Sequence, residues 1–536
     1  MMLPENMRDW VGKDHLVWFV IDVIEGLDTA ALEGLGAPGR GRPGYDPRML
    51  AVLLVYSYLQ AERSSRRIEE RCRTDAAFRV ATGNQVPDHA TICRFRAAAA
   101  GEGGPLEDLF LQVLFVLAAA GLGRLGVVSV DGSKIWANAS RQANRTEGGL
   151  RKLARRVLDD AARADGEGCG CGGHGHGDAA GLPAPDSCGC CDGGTLPGLG
   201  LDGPAVPRGG WGGATRAQRI AAGLADLEAA RLEREAGARA AAGAYLAACR
   251  DGRAPRGQVP AAVAVEAAEL RLERAIAADA GTDARYAAAG RRPPGQRREG
   301  AESRTVRLAR ERLRAALRAR ADAERRAARA DAKDGKKPPE PVRNITDPDS
   351  RLLHCTLRGP VQSCNCQVPR SADLVFPLPR VVQDANDANQ ARAAFEAIAA
   401  SRQAIAAGHA AAGRPGFWSR IGTVLFDNGY FSRANIELPG PDRLIGTGNW
   451  QDPGPHGPGC RHDDPRDQMH HNLATRQGAD LYRSRAPVSE GGFADLKERT
   501  GLRQFAMRGI EKAQGELLLA CMSANIHLLF RRTRLA

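Results

Sequence analysis

The sequence predicts a mixed α/β core that carries an all-helical N-terminal module and a large, mainly helical insertion. Three observations predict it. Residues 1–120 show helical periodicity with helix-start signals. Two short apolar runs, GVVSVD at 126–131 and TVLFD at 423–427, read as buried strands. Between them, about 145–342, the composition shifts to one that cannot continue a sheet. The 536 residues suffice for two to four domains at ~100–200 residues each. Apolar residues at 43% and charged residues at 26% exclude a wholly disordered chain. Lys and Arg number 75 against 63 Asp and Glu, so the net charge of +12 favours an anionic partner, nucleic acid first. No apolar run reaches the ~20 residues that span a bilayer. The start MMLPENMRDW lacks a secretion signal, so the expected compartment is the cytoplasm. The 13 Cys, an odd number, are expected reduced there.

The helical module begins its clearest helix at Asp46-Pro47, an N-cap followed by Pro at the first position. Ser64-Ser65 opens a second helix, expected to run to Gly83, and Pro87-Asp88 opens a third. Three short helices bearing Arg66, Arg67, Arg94 and Arg96 fit a helix-turn-helix-like DNA-binding module. A plain bundle with solvated arginines accounts for the same residues.

The insertion, 145–342, has two parts. Residues 166–213 are rich in Gly, Pro, Cys and His and read as loop. Cys169, Cys171, His174, His176, Cys188, Cys190 and Cys191 offer soft ligands for Zn²⁺, but their spacing matches no standard finger. Adventitious binding by a Gly-rich loop is the plainer reading. Residues 214–332 favour two or three long helices packed as a hairpin with Ala at the seam. Val265, Leu272 and Ile276, then Leu308, Leu313 and Leu317, suggest apolar stripes. Residues 300–343 hold 14 basic and 7 acidic side chains, which suits either a solvated face or a phosphate-contacting arm.

Strand-like runs return at Leu352 to Leu357 and Leu374 to Val382, the second interrupted by Pro377 and Pro379. A helix follows at 388–407, then TVLFD, then RLIGT at 443–447. Residues 451–468 read as loop, and the remainder as helical, ending in the apolar GELLLACMSANIHLLF. The core without the insertion comprises 121–144 and 343–536.

Asp131 and Asp427 each end a predicted buried strand, where ligands gather in α/β sheets. Asp131-Gly132 and Asn428-Gly429 are also good tight-turn pairs. Glu490 shares a helix face with Lys497, and with Tyr482 and Arg485 it makes a carboxylate flanked by cations, as binding a phosphate beside a metal requires. Three carboxylates without thiolate or imidazole suit Mg²⁺ or Mn²⁺.

VDGSKIWANAS, NITDPDSRLL, VVQDANDANQ, LFDNGYFSRANI and YRSRAPVSEGGFADLKERTGLRQFAMRGIEKAQGE occur in this order, after YDPRMLAVLLVYSYLQAERSSRRIEERC and VPDHATICRFR. Together they resemble the motifs of bacterial insertion-sequence transposases of the DDE class, with the insertion-sequence group numbered eleven eighty-two as the nearest branch. The chain departs from that pattern at Ser363-Cys364-Asn365-Cys366-Gln367. The resemblance implies an RNase H-like catalytic core, with Asp131, Asp427 and Glu490 as the acidic trio and Tyr482, Arg485 and Lys497 as the signature around the Glu. It implies cutting of double-stranded DNA at transposon ends with, in all, two Mg²⁺ or Mn²⁺ ions. Transfer of the freed 3′-hydroxyl to target DNA would follow, by a homodimer at the bacterial nucleoid. A catalytically inactive, DNA-binding descendant is the alternative. A metal-binding scaffold built on the insertion leaves the ordered core motifs unexplained.

Overall fold

The apolar run at 126–131 opens a strand longer than its sequence suggests. β1 spans Val127–Trp136 in the computed structural model, which describes residues 6–35, 44–168, 215–253, 255, 258–291, 303–331, 340–355, 359–448 and 464–535. Asp131 therefore lies in mid-strand rather than at its end, and Asp131-Gly132 is no turn. The strand continues because its partner continues: β3, Gly359–Ser371, pairs with it antiparallel from Val128↔Ser371 to Trp136↔Ser363. The remaining strands of this sheet are β2, Arg351–Cys355, β4, Arg380–Val382, β5, Thr423–Phe426, and β6, Arg443–Ile445. The sheet order is β2-β3-β1-β5-β6, with β4 also paired to β3. β1–β5 and β5–β6 are parallel and the other pairs antiparallel. The sheet is therefore mixed, with its parallel half fully buried at Val128, Val130, Val424, Leu425 and Phe426.

Among the described residues, the α-helices of six residues or more, in order, are α1, Leu16–Glu25, α2, Pro47–Leu59, α3, Ser65–Thr74, α4, Ala76–Ala81, α5, His89–Ala99, and α6, Pro105–Ala119. Next come α7, Glu147–Gly168, α8, Arg216–Arg250, α9, Ala264–Ala288, and α10, Arg304–Asp331. The series closes with α11, Ala391–Ala411, α12, Pro465–Ala474, α13, Arg476–Arg483, α14, Arg485–Ala494, and α15, Ile510–Leu535. Asp46 caps α2 by accepting from the Arg48 N–H, and Asp88 caps α5. The expected single helix from Ser64 to Gly83 is instead two. Asp75 takes an extended conformation and its carboxylate accepts from the N–H groups of Ala77 and Phe78, which ends α3 and starts α4. The run from Leu374 to Val382, expected from its prolines to be an edge strand or none, is strand only at β4, because Pro377 and Pro379 have no N–H for a ladder. The strand that flanks β1 is instead the polar, Cys-containing run 359–371, whose mixed composition gave no strand signal.

The chain forms two compact units. The first comprises 1–145, 152–223 and 343–536. One apolar core runs through its helical module and its sheet. α15 is buried on all sides over Leu517 to Met522, as befits a helix apolar all round, and packs against α2, α6 and β4. The second unit comprises 146–151 and 224–342. There α9 packs on the end of α8 through Ala267 against Tyr245, Leu246 and Cys249, and on α10 through Ala275 against Val306 and Ala309. Alanines form this seam as expected. Ile276, Leu308 and Leu317, expected in the stripes, are instead exposed at 46%, 41% and 46%. The Cys/His-rich segment with its candidate Zn²⁺ ligands from Cys169 to Cys191 lies outside the described residues, as does most of the 451–468 loop. No helix among the described residues is long and apolar enough to cross a membrane.

α6 and α11 cross at Gly408, where an added Cβ would stand 2.3 Å from the Phe115 carbonyl oxygen and 2.8 Å from Ala118 Cβ. Only a bare Cα permits this approach. Gly408→Ala is expected to cost roughly 1–3 kcal/mol by overpacking. Urea unfolding checks it: the midpoint should fall while the slope stays the same.

Candidate active site

The parallel ladder between β1 and β5 ends at Val130↔Phe426. The next residue on each strand is an aspartate, Asp131 and Asp427. They are 296 residues apart in sequence and adjacent in the sheet. β1 keeps Asp131 in register through β3, opposite Val368. Asp427 leaves β5 in extended conformation and caps a 3-10 turn, Asn428–Tyr430, with Oδ1 accepting from the Gly429 N–H at 3.0 Å. Asn428-Gly429 is thus a turn, as its sequence suggests, but the turn serves to present Asp427.

The two carboxylates sit in a poor place for negative charge. Burial, then the charge of Asp427, pushes Asp131 up to about 6 despite the Arg485 guanidinium, whose Nη1 lies 3.3 Å from Asp131 Oδ2. Burial, then Asp387, raises Asp427 as well. Arg485 supplies one positive charge to this cluster, so the pair would gain from a further cation.

α14 and the π-helical turn Asp495–Arg499 that follows it carry the rest of the expected signature. Ser489 on α14 pairs with Ser129 on β1 through their hydroxyls, and α14 packs on β1 and β3. Lys497 Nζ donates to Ser133 Oγ at 3.0 Å. Glu490 lies between Arg485 and Lys497, whose side chains reach positions 131 and 133 of β1. It is exposed. Among the described residues no three His, Cys, Asp or Glu side chains stand together as a metal cage. Tyr482, expected among the catalytic group, is 4% exposed and donates its hydroxyl to the Phe426 carbonyl at 3.1 Å. It braces β5 one residue before Asp427.

The arginines expected to meet DNA divide. Arg66 and Arg94 are exposed on α3 and α5, and Arg67 is exposed while pairing with Glu62 at 3.1 Å. Arg96 is only 2% exposed and donates to the Arg63 carbonyl at 2.9 Å. It further contacts the Ser65 hydroxyl. It knits α5 to the start of α3 and presents no charge to a phosphate. The sequence could not separate these arginines, because the short α5 gives no clear inward face.

One acid went unnoticed. Asp387 stands before α11, and its Oδ1 accepts from Asn365 Nδ2 at 2.9 Å and Gln367 Nε2 at 2.6 Å. Its charge acts on both Asp131 and Asp427. In sequence it reads as one of two loop acids beside Asp384, and nothing sets it apart.

Comparison with known families follows this division. Residues 5–98 match the family described as Transposase domain (DUF772), which takes in the exposed arginines of α3 and α5. Residues 460–530 match the family described as Transposase DDE domain, which takes in Tyr482, Arg485, Glu490 and Lys497. No curated protein and no solved structure matches the chain. The two family matches indicate a DNA transposase of the DDE class.

The environment of Asp131 has a measurable sign. Its folded-state pKa of about 6 exceeds the unfolded value of about 3.9. The folded state therefore binds more protons between those values, and stability falls as pH rises through that window. Asp347, also pushed up to about 6 by burial, acts in the same direction. In EDTA, Asp131→Asn should gain on the wild type between pH 4 and pH 6 by up to roughly 3 kcal/mol. Chemical unfolding across this range reads the difference. Parallel curves would mean that Asp131 is not in the setting described.

Proposed function

We propose that the chain is a transposase that cuts DNA at transposon ends and joins the freed 3′-hydroxyl to target DNA, on an RNase H-like core. The observation that carries this reading is the pair Asp131 and Asp427, set side by side where the β1–β5 ladder stops. The donor chemistry fits a divalent cation. All the candidate ligands are carboxylate oxygens, and the pair is short of positive charge. Asp131 and Asp427, with Glu490 completing the trio, would hold Mg²⁺ or Mn²⁺. Such ions activate a water or a 3′-hydroxyl and stabilise the leaving oxygen of a phosphodiester.

The chain's own residues prepare this chemistry. Arg485 holds the Asp131 carboxylate in place at 3.3 Å. Lys497, anchored at Ser133, adds a positive charge beside the position a scissile phosphate would take. Tyr482 fixes the end of β5, and so the reach of Asp427. Glu490, exposed on α14, is the proposed third carboxylate, although among the described residues it does not form a metal-holding group with the pair. Arg66, Arg67 and Arg94 track the phosphate backbone of the same duplex.

Cleavage of DNA bearing the element's own ends, in Mg²⁺, tests the assignment. Asp427→Asn and Glu490→Gln should each lower the rate by at least about a thousandfold, a loss of roughly 4 kcal/mol of transition-state stabilisation. Wild-type rates in Glu490→Gln would remove Glu490 from the reaction, and an inactive wild type would favour the DNA-binding descendant. For the helical module, neutralising Arg66 and Arg67 together should reduce the salt dependence of DNA binding by about 2 in log–log slope. An unchanged slope would return both to the solvated surface.

A further inference from the structure

Asp131 and Asp427 both lie beyond the last rung of the ladder that joins their strands. No further residue pair of β1 and β5 follows there. A side-chain network spans the gap. On β3, Gln367 sits directly across from Gly132, the residue after Asp131. Gln367 Nε2 donates to Asp387 Oδ1 at 2.6 Å, and Gln367 Oε1 accepts from the Tyr430 hydroxyl. Tyr430 closes the turn that Asp427 caps, and is fully buried. Asn365, two residues along β3, donates to the same Asp387 oxygen at 2.9 Å. Asn435 adds a second tie, donating to the Ala388 carbonyl at 2.6 Å and the Tyr430 carbonyl at 2.8 Å.

Gly132 makes room for this network. A Cβ there would stand 2.3 Å from Asp387 Oδ1 and 2.8 Å from Gln367 Nε2. Its φ is not positive, so backbone conformation does not demand glycine. The space Gly132 leaves is filled by Asp387. Asn365 and Gln367 are each 2% exposed, so their amides have no water to turn to if that carboxylate leaves.

We propose that Asp387 is a positioning residue: by accepting from Asn365 and Gln367 it locks the Asp427 turn to β1 and so sets the spacing of the two aspartates. Its role is that of a hydrogen-bond acceptor. An amide oxygen can take both bonds, so Asp387→Asn preserves the lock and Asp387→Ala removes it. The catalytic meaning of the spacing rests on the reading of Asp131 and Asp427 as the reacting pair, whereas the lock itself does not.

Hydrogen exchange on the full chain, without metal, tests the lock. In Asp387→Ala the amides of 428–431 should exchange at least about tenfold faster than in the wild type, while Asp387→Asn stays within about threefold. Unchanged exchange in Asp387→Ala overturns the proposal. So does equal acceleration in both variants, since charge rather than acceptance would then be what matters. Mn²⁺ binding by electron paramagnetic resonance tests the consequence. Asp387→Ala should bind about 10–100-fold more weakly than the wild type, with Asp387→Asn restoring most of the affinity. Wild-type affinity in Asp387→Ala overturns the link to spacing. A wild type that binds Mn²⁺ no better than Asp131→Asn removes the metal reading instead, and leaves the exchange result standing.

Discussion

The point at which β1 and β5 stop pairing governs the rest of the molecule. Up to Val130↔Phe426 the two strands are a buried parallel ladder, with valine, leucine and phenylalanine on both faces. One residue later both chains present carboxylates. The apolar ladder cannot extend over charged groups, and the charged groups cannot approach each other without a ladder behind them. Each condition depends on the other, and the sheet resolves both by letting β1 run on along β3.

The surrounding elements address a cost that this arrangement creates. Two like charges in a partly buried setting repel, and burial makes each harder to ionise. Arg485 offsets part of this from α14, and Lys497 adds charge nearby from the π-helical turn. On the far side of β1 the space at Gly132 is taken by Asp387, which adds a third negative charge. A fold selected only for stability would place a lysine or an apolar side chain there. The excess of acid is intelligible when the site's working state includes cations.

The sequence made some of this legible and hid the rest for definite reasons. β5 and β6 were visible because parallel, buried strands are short apolar runs. Asp46 and Asp88 marked their helices because capping is local chemistry. Asp131, Asp427 and the 482–497 stretch were singled out by motif, though motif alone could not say that Asp131 sits in mid-strand. That fact depends on β3, whose SCNCQVPRS run is mixed because Cys364, Cys366 and Val368 enter the core while Asn365 and Gln367 serve a polar network. Asp387 was hidden for a related reason: its partners lie 20 and 22 residues before it and become neighbours through the antiparallel pairing of β3 with β4. Arg96 misled because an arginine used internally looks, in sequence, like one used at the surface.

The distance along the chain between the two aspartates governs when their pairing can first exist. A ribosome that has made residue 131 must still synthesise the whole insertion, and much of the sheet, before residue 427 appears. A product broken off anywhere in between holds one member of the pair on an unfinished sheet. The acidic pair is thereby withheld from every nascent fragment and reserved for chains that have closed the sheet around both residues.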